Sequence, residues 1–180
     1  MTHWFTSDTH FGHANIIKYC NRPFENVFDM NEEMIARWNA FVQPDDMVYH
    51  LGDFAMGNSH NALSIVKRLA GRKCLVLGNH DRKATPEFLR QWEWVKDLAE
   101  VVIEGQRIIL CHYAMLVWNK SHHGSWQLHG HSHGTIPDDP CTRRLDVGVD
   151  VWDFVPVSFD AIRRRMETKQ YRPVDHHGVE

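Results

Sequence analysis

Lys73-Cys74-Leu75-Val76-Leu77-Gly78-Asn79-His80-Asp81 decides how this chain reads, because a short apolar run ends in a glycine and then in residue types that bind metal ions and protons. The run has the length and hydrophobicity of a buried strand, and Gly78-Asn79 is turn chemistry. The same layout recurs on both sides of it. Upstream, Trp4-Phe5-Thr6-Ser7 runs into Asp8-Thr9-His10, and Met47-Val48-Tyr49-His50-Leu51 runs into Gly52-Asp53. Downstream, Arg107-Ile108-Ile109-Leu110-Cys111 runs into His112, and Trp126-Gln127-Leu128-His129 into Gly130-His131-Ser132-His133. Strand ends in an α/β sheet converge on one rim, so side chains spread from residue 8 to residue 133 can meet in one place.

Between these strands the spacing predicts helices over residues 14–20 and 31–42. The second carries Met34, Ile35, Trp38, Phe41 and Val42 at helical spacing, with Asp29 or Asn31 as its N-cap. A helix over 59–69 follows, with Leu63, Val66 and Leu69 on one face and Gly71 as its stop. A short helix opens near Pro86. One strand over 95–103 turns at Glu104-Gly105 into the strand ending at His112, strands continue to about Val151, and a last helix spans 160–166. Strands alternating with helices at first, and hairpin-like strands later, predict two packed sheets with helices outside.

With 180 residues and 43% hydrophobic content, the chain suits one domain over 1–168 and a C-terminal tail over 169–180. A formal net charge of −3 argues against a broad basic face for long nucleic acid. The start lacks a basic n-region followed by an apolar h-region, and no segment approaches the roughly 18 apolar residues of a membrane span. The expected location is the cytoplasm, without membrane contact. Cys20, Cys74, Cys111 and Cys141 lie far apart with no Cys-x-x-Cys pair, so neither a disulfide nor a thiolate ligand is assigned. His176-His177 reads as solvated tail.

Asp8, His10, Asp53, Asn79, His112, His131 and His133 offer carboxylate, amide and imidazole donors, a mixture suited to transition metals rather than Ca²⁺. Seven donors are too many for one tetrahedral ion and suit two ions that share a carboxylate. Two dications bring four positive charges, of which Asp8 and Asp53 return two, so the centre stays cationic and attracts an anion such as a phosphate ester. Taken singly, each piece has a bland reading. Gly52-Asp53 is a turn, and His112 at the end of an apolar strand is ordinarily a satisfied core histidine. Gly130-His131-Ser132-His133-Gly134 is more specific, since a strand end rarely carries histidines at i and i+2 between glycines unless something binds them.

Asp8-x-His10, Gly52-Asp53, Gly78-Asn79-His80-Asp81, His112 and Gly130-His131-x-His133 resemble the five signature blocks of the calcineurin-like metallophosphoesterase superfamily. Ser7-Asp-Thr-His-Phe-Gly-His13, Leu128-His-Gly-His-Ser-His-Gly134 and Leu145-Asp-Val-Gly-Val-Asp150 resemble its small, cap-less bacterial and phage branch. The resemblance covers residues 1 to about 165 and implies a four-layer αββα sandwich. It implies two divalent ions per chain, Mn²⁺ first and Fe, Ni, Co or Zn as alternatives. Asp8, His10 and His133 would hold one ion, Asn79, His112 and His131 the other, and Asp53 would bridge them. The implied reaction is attack of a metal-bridging hydroxide on a small phosphoester, a nucleotide being one candidate, with Asp53 and His80 as the catalytic pair. His80 would stabilise the transition-state oxyanion or protonate the leaving group, a task suited to a side chain that exchanges protons near neutral pH.

The chain also departs from the pattern it resembles. Protein phosphatases of the superfamily continue the second block into Asp-Arg-Gly, whereas this chain reads Gly52-Asp-Phe-Ala-Met-Gly57, without the arginine that holds phosphate. That argues against phosphoprotein phosphatase activity and favours a phosphodiester, whose single charge two ions manage alone. Phosphate-gripping groups must come from elsewhere. His13, Arg22 and Arg82, with Asn15, lie just beyond ligand blocks, and His13 would sit beside exposed N–H groups of a helix starting near Ala14. His122, His123 and Trp118 are open between the mouth of the site and an ordinary loop. The alternatives are a phosphomonoesterase or nuclease at the same centre, or a non-catalytic binding module. The complete donor set favours the hydrolase, and a cap-less domain has few groups with which to enclose a ligand.

Overall fold

The computed structural model describes residues 1–57 and 59–174. The chain builds its first sheet from β1 (His3–Thr6), β2 (Met47–His50) and β3 (Arg72–Val76), which lie side by side and parallel. Parallel neighbours need crossovers. These carry α1 (Ala14–Tyr19) and α2 (Val27–Phe41) between β1 and β2, and α3 (Ser59–Arg68) between β2 and β3. After the short α4 (Pro86–Leu89), β4 (Val95–Lys96) joins β3 in parallel. The late β9 (Val157–Ser158) closes the other edge antiparallel to β1, giving the order β4-β3-β2-β1-β9.

The second sheet has the order β5-β6-β7-β8. Only β5 (Leu98–Ile103) and β6 (Gln106–Cys111) form a hairpin, and β7 (Trp126–His129) and β8 (Arg144–Asp146) then add in parallel. Two expectations are corrected here. The strand expected over 95–103 is two strands in different sheets, divided at Asp97, where the chain crosses from one sheet to the other. The strands after His112 are not hairpins, because the segments over 112–125 and 130–143 are long crossovers that bring β7 and β8 back in the direction of β6.

Phe5, Tyr49, Leu51, Cys74 and Val76 from the first sheet bury against Ile108, Leu110, Trp126, Leu128 and Leu145 from the second. α5 (Phe159–Glu167) adds Phe159, Ile162 and Met166 to that core. On the opposite face of the first sheet, Val48 and Leu75 meet Met30, Met34, Ile35 and Trp38 of α2, Ile65 and Val66 of α3, and Phe88 of α4. The result is two mixed sheets flanked by helices, the expected arrangement.

α2 starts earlier than its apolar stripe indicates. Asn26, not Asp29 or Asn31, caps it, its side-chain oxygen accepting the N–H groups of Phe28 and Asp29 at 2.9 and 3.0 Å. Asn31 instead accepts the N–H of Gly12 at 3.1 Å, tying α2 to the loop after β1. The start of the expected tail is held against the domain, since Lys169 Nζ donates to Arg144 O at 2.7 Å and Arg172 N to Cys141 O at 2.8 Å. His176-His177 lies outside the described residues. No helix among the described residues is long and apolar enough to cross a membrane.

Candidate metal centre

β1, β2 and β3 in one sheet and β6, β7 and β8 in the other are two parallel sets whose C-terminal ends face a common rim. Main-chain bonds lock their end loops together. Asp8 N–H donates to Gly52 O, His10 N–H to Asp53 O and Gly130 N–H to His112 O, each at 3.0 Å. A bridge between Ser7 and Gly148 ties the first sheet's rim to the second's. Asp8, His10, Asp53, His131 and His133 all have positive φ, between 47° and 67°. Side chains avoid that region, and non-glycine residues held there cluster at functional sites.

Two glycines of the rim are required by close approach. A Cβ on Gly130 would lie 2.0 Å from Ser7 Oγ and 2.4 Å from an Asp8 carboxylate oxygen. A Cβ on Gly78 would lie 2.2 Å from Asp53 Oδ1. The glycines of those two blocks therefore leave room for carboxylates.

All seven expected donors come together. Ligand atoms of Asp8, His10 and His133 lie within 4.8 Å of one another, as do those of Asp53, His112 and His131. Asp53 Oδ2 stands between the groups, 3.6 Å from His10 Nε2 and 3.5 Å from His112 Nε2. Asn79 Oδ1 is 3.3 Å from His112 Nε2. A third cluster joins His80 to His10 and Asp53.

The protonation pattern shows that this arrangement fits cations. His112 Nδ1 donates to Leu51 O at 2.7 Å, which turns the Nε2 lone pair toward two acceptors, Asp53 Oδ2 and Asn79 Oδ1. His133 Nδ1 donates to Asp150 Oδ2 at 2.7 Å, and its other nitrogen is left for the cluster. Histidines that give their outer N–H to a carbonyl or carboxylate present the inner nitrogen to a metal. Both nitrogens of His10, a residue 2% exposed, lack a hydrogen-bond partner. Burial drives the His10 pKa far down, so its ring is neutral and a competent donor. Burial also lowers His112 and His133, but the carboxylates of Asp53 and Asp8 for the first and of Asp150 and Asp8 for the second outweigh it and raise both. A proton is drawn to where a cation would sit. Burial pushes Asp8 up to about 7, and a dication beside it would restore its charge.

A sequence model described as the calcineurin-like phosphoesterase superfamily domain matches residues 1–143. The chain belongs to the calcineurin-like phosphoesterase superfamily. It is 36% identical over 171 residues to an uncharacterized protein of Methanocaldococcus jannaschii, covering 91% of this chain and 90% of that one. It is 30% identical over 184 residues to the gene 66 protein of Mycobacterium phage D29, covering 86% of this chain and 91% of that protein. Among solved structures, a protein of unknown function from Aquifex aeolicus superposes with a TM-score of 0.73 at 28% identity, over 91% of this chain and 98% of that one. A novel archaeal phosphodiesterase gives a TM-score of 0.50 at 19% identity over 82% of each chain, a likeness of fold.

Around the donors of this phosphoesterase lies a set of buried polar groups without an obvious signal in sequence. Asp81 accepts the N–H groups of Asp53 at 2.7 Å, Phe54 at 3.0 Å and Gly78 at 2.9 Å, clamping the second and third ligand loops together. His50 is fully buried and burial pushes it down to about 3, so it is neutral. Its Nδ1 accepts from Gly52 N–H at 3.2 Å, its Nε2 therefore donates to Thr9 Oγ1 at 3.0 Å, and Thr9 donates to Phe54 O at 2.7 Å. Cys20 lies within reach of His133 and Asp150, but burial pushes its thiol up to about 11, and a protonated thiol is a poor ligand.

The residues expected to grip substrate separate. His13 and Asn15 line a cleft of about 390 Å³ above the donors, together with His80 and Tyr19, and His13 Nδ1 is buried without a partner. Arg82 faces an adjoining cavity rather than this cleft. Trp118 is buried, its Nε1 donating to Ser125, and does not form the mouth.

Arg22 is corrected outright. Its side chain is 0% exposed and makes a two-pronged pair with Asp150, 2.8 Å on each prong. It also donates to the carbonyls of Asp8 at 2.7 Å and Thr9 at 3.0 Å. Arg22 therefore holds the first ligand loop and, through Asp150, the ring of His133. Arg22→Met should cost the protein about 3–5 kcal/mol, the range for a buried charge that loses its partner. Denaturant unfolding of the chelated protein measures it. A variant of unchanged stability but raised KM would put Arg22 back on the substrate.

Proposed function

We propose that this phosphoesterase hydrolyses small phosphoesters, diesters in preference to monoesters, at a centre of two divalent transition-metal ions. The observation that carries the reading is the shared position of Asp53 Oδ2 between two donor groups, 3.6 Å from His10 and 3.5 Å from His112. Asp8, His10 and His133 would hold one ion, Asn79, His112 and His131 the other, with Asp53 common to both. Bound there, two dications supply Lewis acidity that activates water and offsets charge on phosphoryl oxygens.

The chain's own residues do the rest. Asp150 and Leu51 O fix the rings of His133 and His112 so that their inner nitrogens stay aimed at the centre. His131 N–H donates to both oxygens of Asp8, at 3.0 and 2.9 Å, and His80 N–H to Asp53 Oδ1 at 2.9 Å, so neither carboxylate turns away. His80 is 31% exposed at its side chain, with Nε2 3.9 Å from Asp53 Oδ2, so it borders both the donors and the open cleft. From there Nε2–H can be held against a phosphoryl oxygen or passed to the oxygen of the leaving group. With Arg22 withdrawn into the interior, no arginine among the described residues lines the cleft above the donors to neutralise the second charge of a monoester. That supports the diester preference.

Two measurements test this reading. Elemental analysis should find two ions per chain after loading with Mn²⁺, and a single ion at saturation would overturn the shared-carboxylate reading. With Mn²⁺, bis(p-nitrophenyl) phosphate should be hydrolysed with a higher kcat/KM than p-nitrophenyl phosphate. A monoester advantage beyond about tenfold, equivalent to about 1.4 kcal/mol of transition-state preference, would make the protein a phosphomonoesterase.

A further inference from the structure

The cleft above the donors does not end at His80. Met56, Asn79 and His80 line it on one side and line a second cavity, of about 500 Å³, on the other. That size lies within the range of small-molecule sites, roughly 300–1,000 Å³. Its apolar wall is Ala55, Ala62, Ala84 and Phe88, and its cations are Arg82 and Lys83.

The inner wall of the cavity is tied to the ligand-bearing rim. Asp81 fastens the loops that carry Ala55 and Arg82 to each other through the three N–H groups it accepts. Phe88 packs in an aromatic cluster with Phe54 and Trp92, the rings tilted or edge-to-face at separations of 5.3 to 5.5 Å. Arg82 and Lys83 are exposed, and neither pairs with an acid among the described residues. In particular Asp81, the neighbour that could have neutralised Arg82, is buried and turned toward the main chain.

We propose that this cavity is a subsite for the organic half of the substrate, selecting phosphoesters whose alcohol portion joins an apolar body to a second anionic group. The proposal rests on the phosphoesterase reading of the adjoining cleft. An ester with its phosphorus over the donors extends its organic group past the shared wall, which puts His80 beside the bond that breaks. The apolar body then covers Ala55, Ala62, Ala84 and Phe88, and the second anion meets Arg82 and Lys83. Each methylene-sized piece removed from water is worth about a factor of four in affinity, so a ring only partly enclosed gains about 10–100-fold. Exposed cations add less, about two- to fivefold. A cap-less domain thus encloses more of a ligand than its sequence indicates.

Stable phosphonates separate binding from turnover. Methylphosphonate, benzylphosphonate and 4-carboxybenzylphosphonate are titrated calorimetrically into the Mn²⁺-loaded protein, with the corresponding aryl and methyl phosphodiesters assayed in parallel. Benzylphosphonate should bind about 10–100-fold tighter than methylphosphonate, and the carboxylate should add about two- to fivefold. Ala62→Phe, which fills the cavity, should erase the benzyl advantage and leave methylphosphonate binding unchanged. Should that variant fold poorly, Ala84→Phe fills the same space from another segment. Replacing Arg82 and Lys83 together with alanine should remove only the carboxylate increment. Equal affinity for benzyl and methyl phosphonates, or a benzyl advantage that survives a folded cavity-filling variant, overturns the subsite. A benzyl advantage without turnover of any ester overturns the hydrolase reading and leaves the subsite standing, whereas failure to bind any phosphonate overturns both.

Discussion

His80→Ala should lower kcat by about 10²–10⁴-fold, the range for a lost general acid or oxyanion partner, and leave the metal content at its wild-type value. The outcome is informative because the geometry admits a rival. His80 clusters with His10 and Asp53 closely enough to be a ligand itself, although its Nε2 is 3.9 Å from Asp53 Oδ2 and its side chain reaches solvent. The contact that holds Asp53 comes from the main-chain N–H of residue 80, which alanine keeps. A ligand role predicts loss of ions and activity together. Elemental analysis beside steady-state kinetics separates the two, and an emptied centre in the variant would move His80 from the chemistry to the coordination sphere.

The gathering of the candidate donors at one rim was legible in the sequence because each follows an apolar strand, and parallel strand ends converge whatever the intervening segments do. His10, Asp53 and His112 needed only the strand register to be placed. What the sequence hid are groups whose meaning is their partner. Arg22 and Asp150 are 128 positions apart, and nothing local distinguishes an arginine that grips phosphate from one buried on a carboxylate and two carbonyls. Arg22 sits close in sequence to a ligand block, but proximity along the chain does not bring exposure at the site. His50 was visible as a strand residue, but its link to Thr9 depends on β1 and β2 being neighbours in register.

The fold shows the same division. The βαβ pattern through β3 follows from alternating apolar runs and helical stripes, so the first sheet was readable. The break at Asp97 was not, because β4 and β5 are one continuous apolar-rich stretch in sequence, and only pairing partners distinguish a long strand from two short ones in different sheets. Likewise β7 and β8 join β6 in parallel across long loops, a choice of direction that residue types alone do not encode.

Asp53→Asn should abolish most of the stabilisation that metal gives the protein. The substitution keeps size and shape, and an amide oxygen can still accept the His80 N–H that Asp53 Oδ1 now accepts at 2.9 Å. The clamp from Asp81 to the Asp53 main chain is untouched. What disappears is the negative charge common to both donor groups, leaving Asp8 as the one carboxylate among the expected ligands to face four positive charges. An ion at about a hundred times its Kd adds about 2.7 kcal/mol to folding. For a domain of this size each kcal/mol moves Tm by about 2–4 °C, so saturating Mn²⁺ should raise the wild-type Tm by at least about 5–11 °C. Melting curves of both proteins, with chelator and with Mn²⁺, give the comparison directly. A variant that gains the full wild-type shift would show that Asp53 does not hold the ions, and the shared oxygen on which the two-ion reading rests would lose its role.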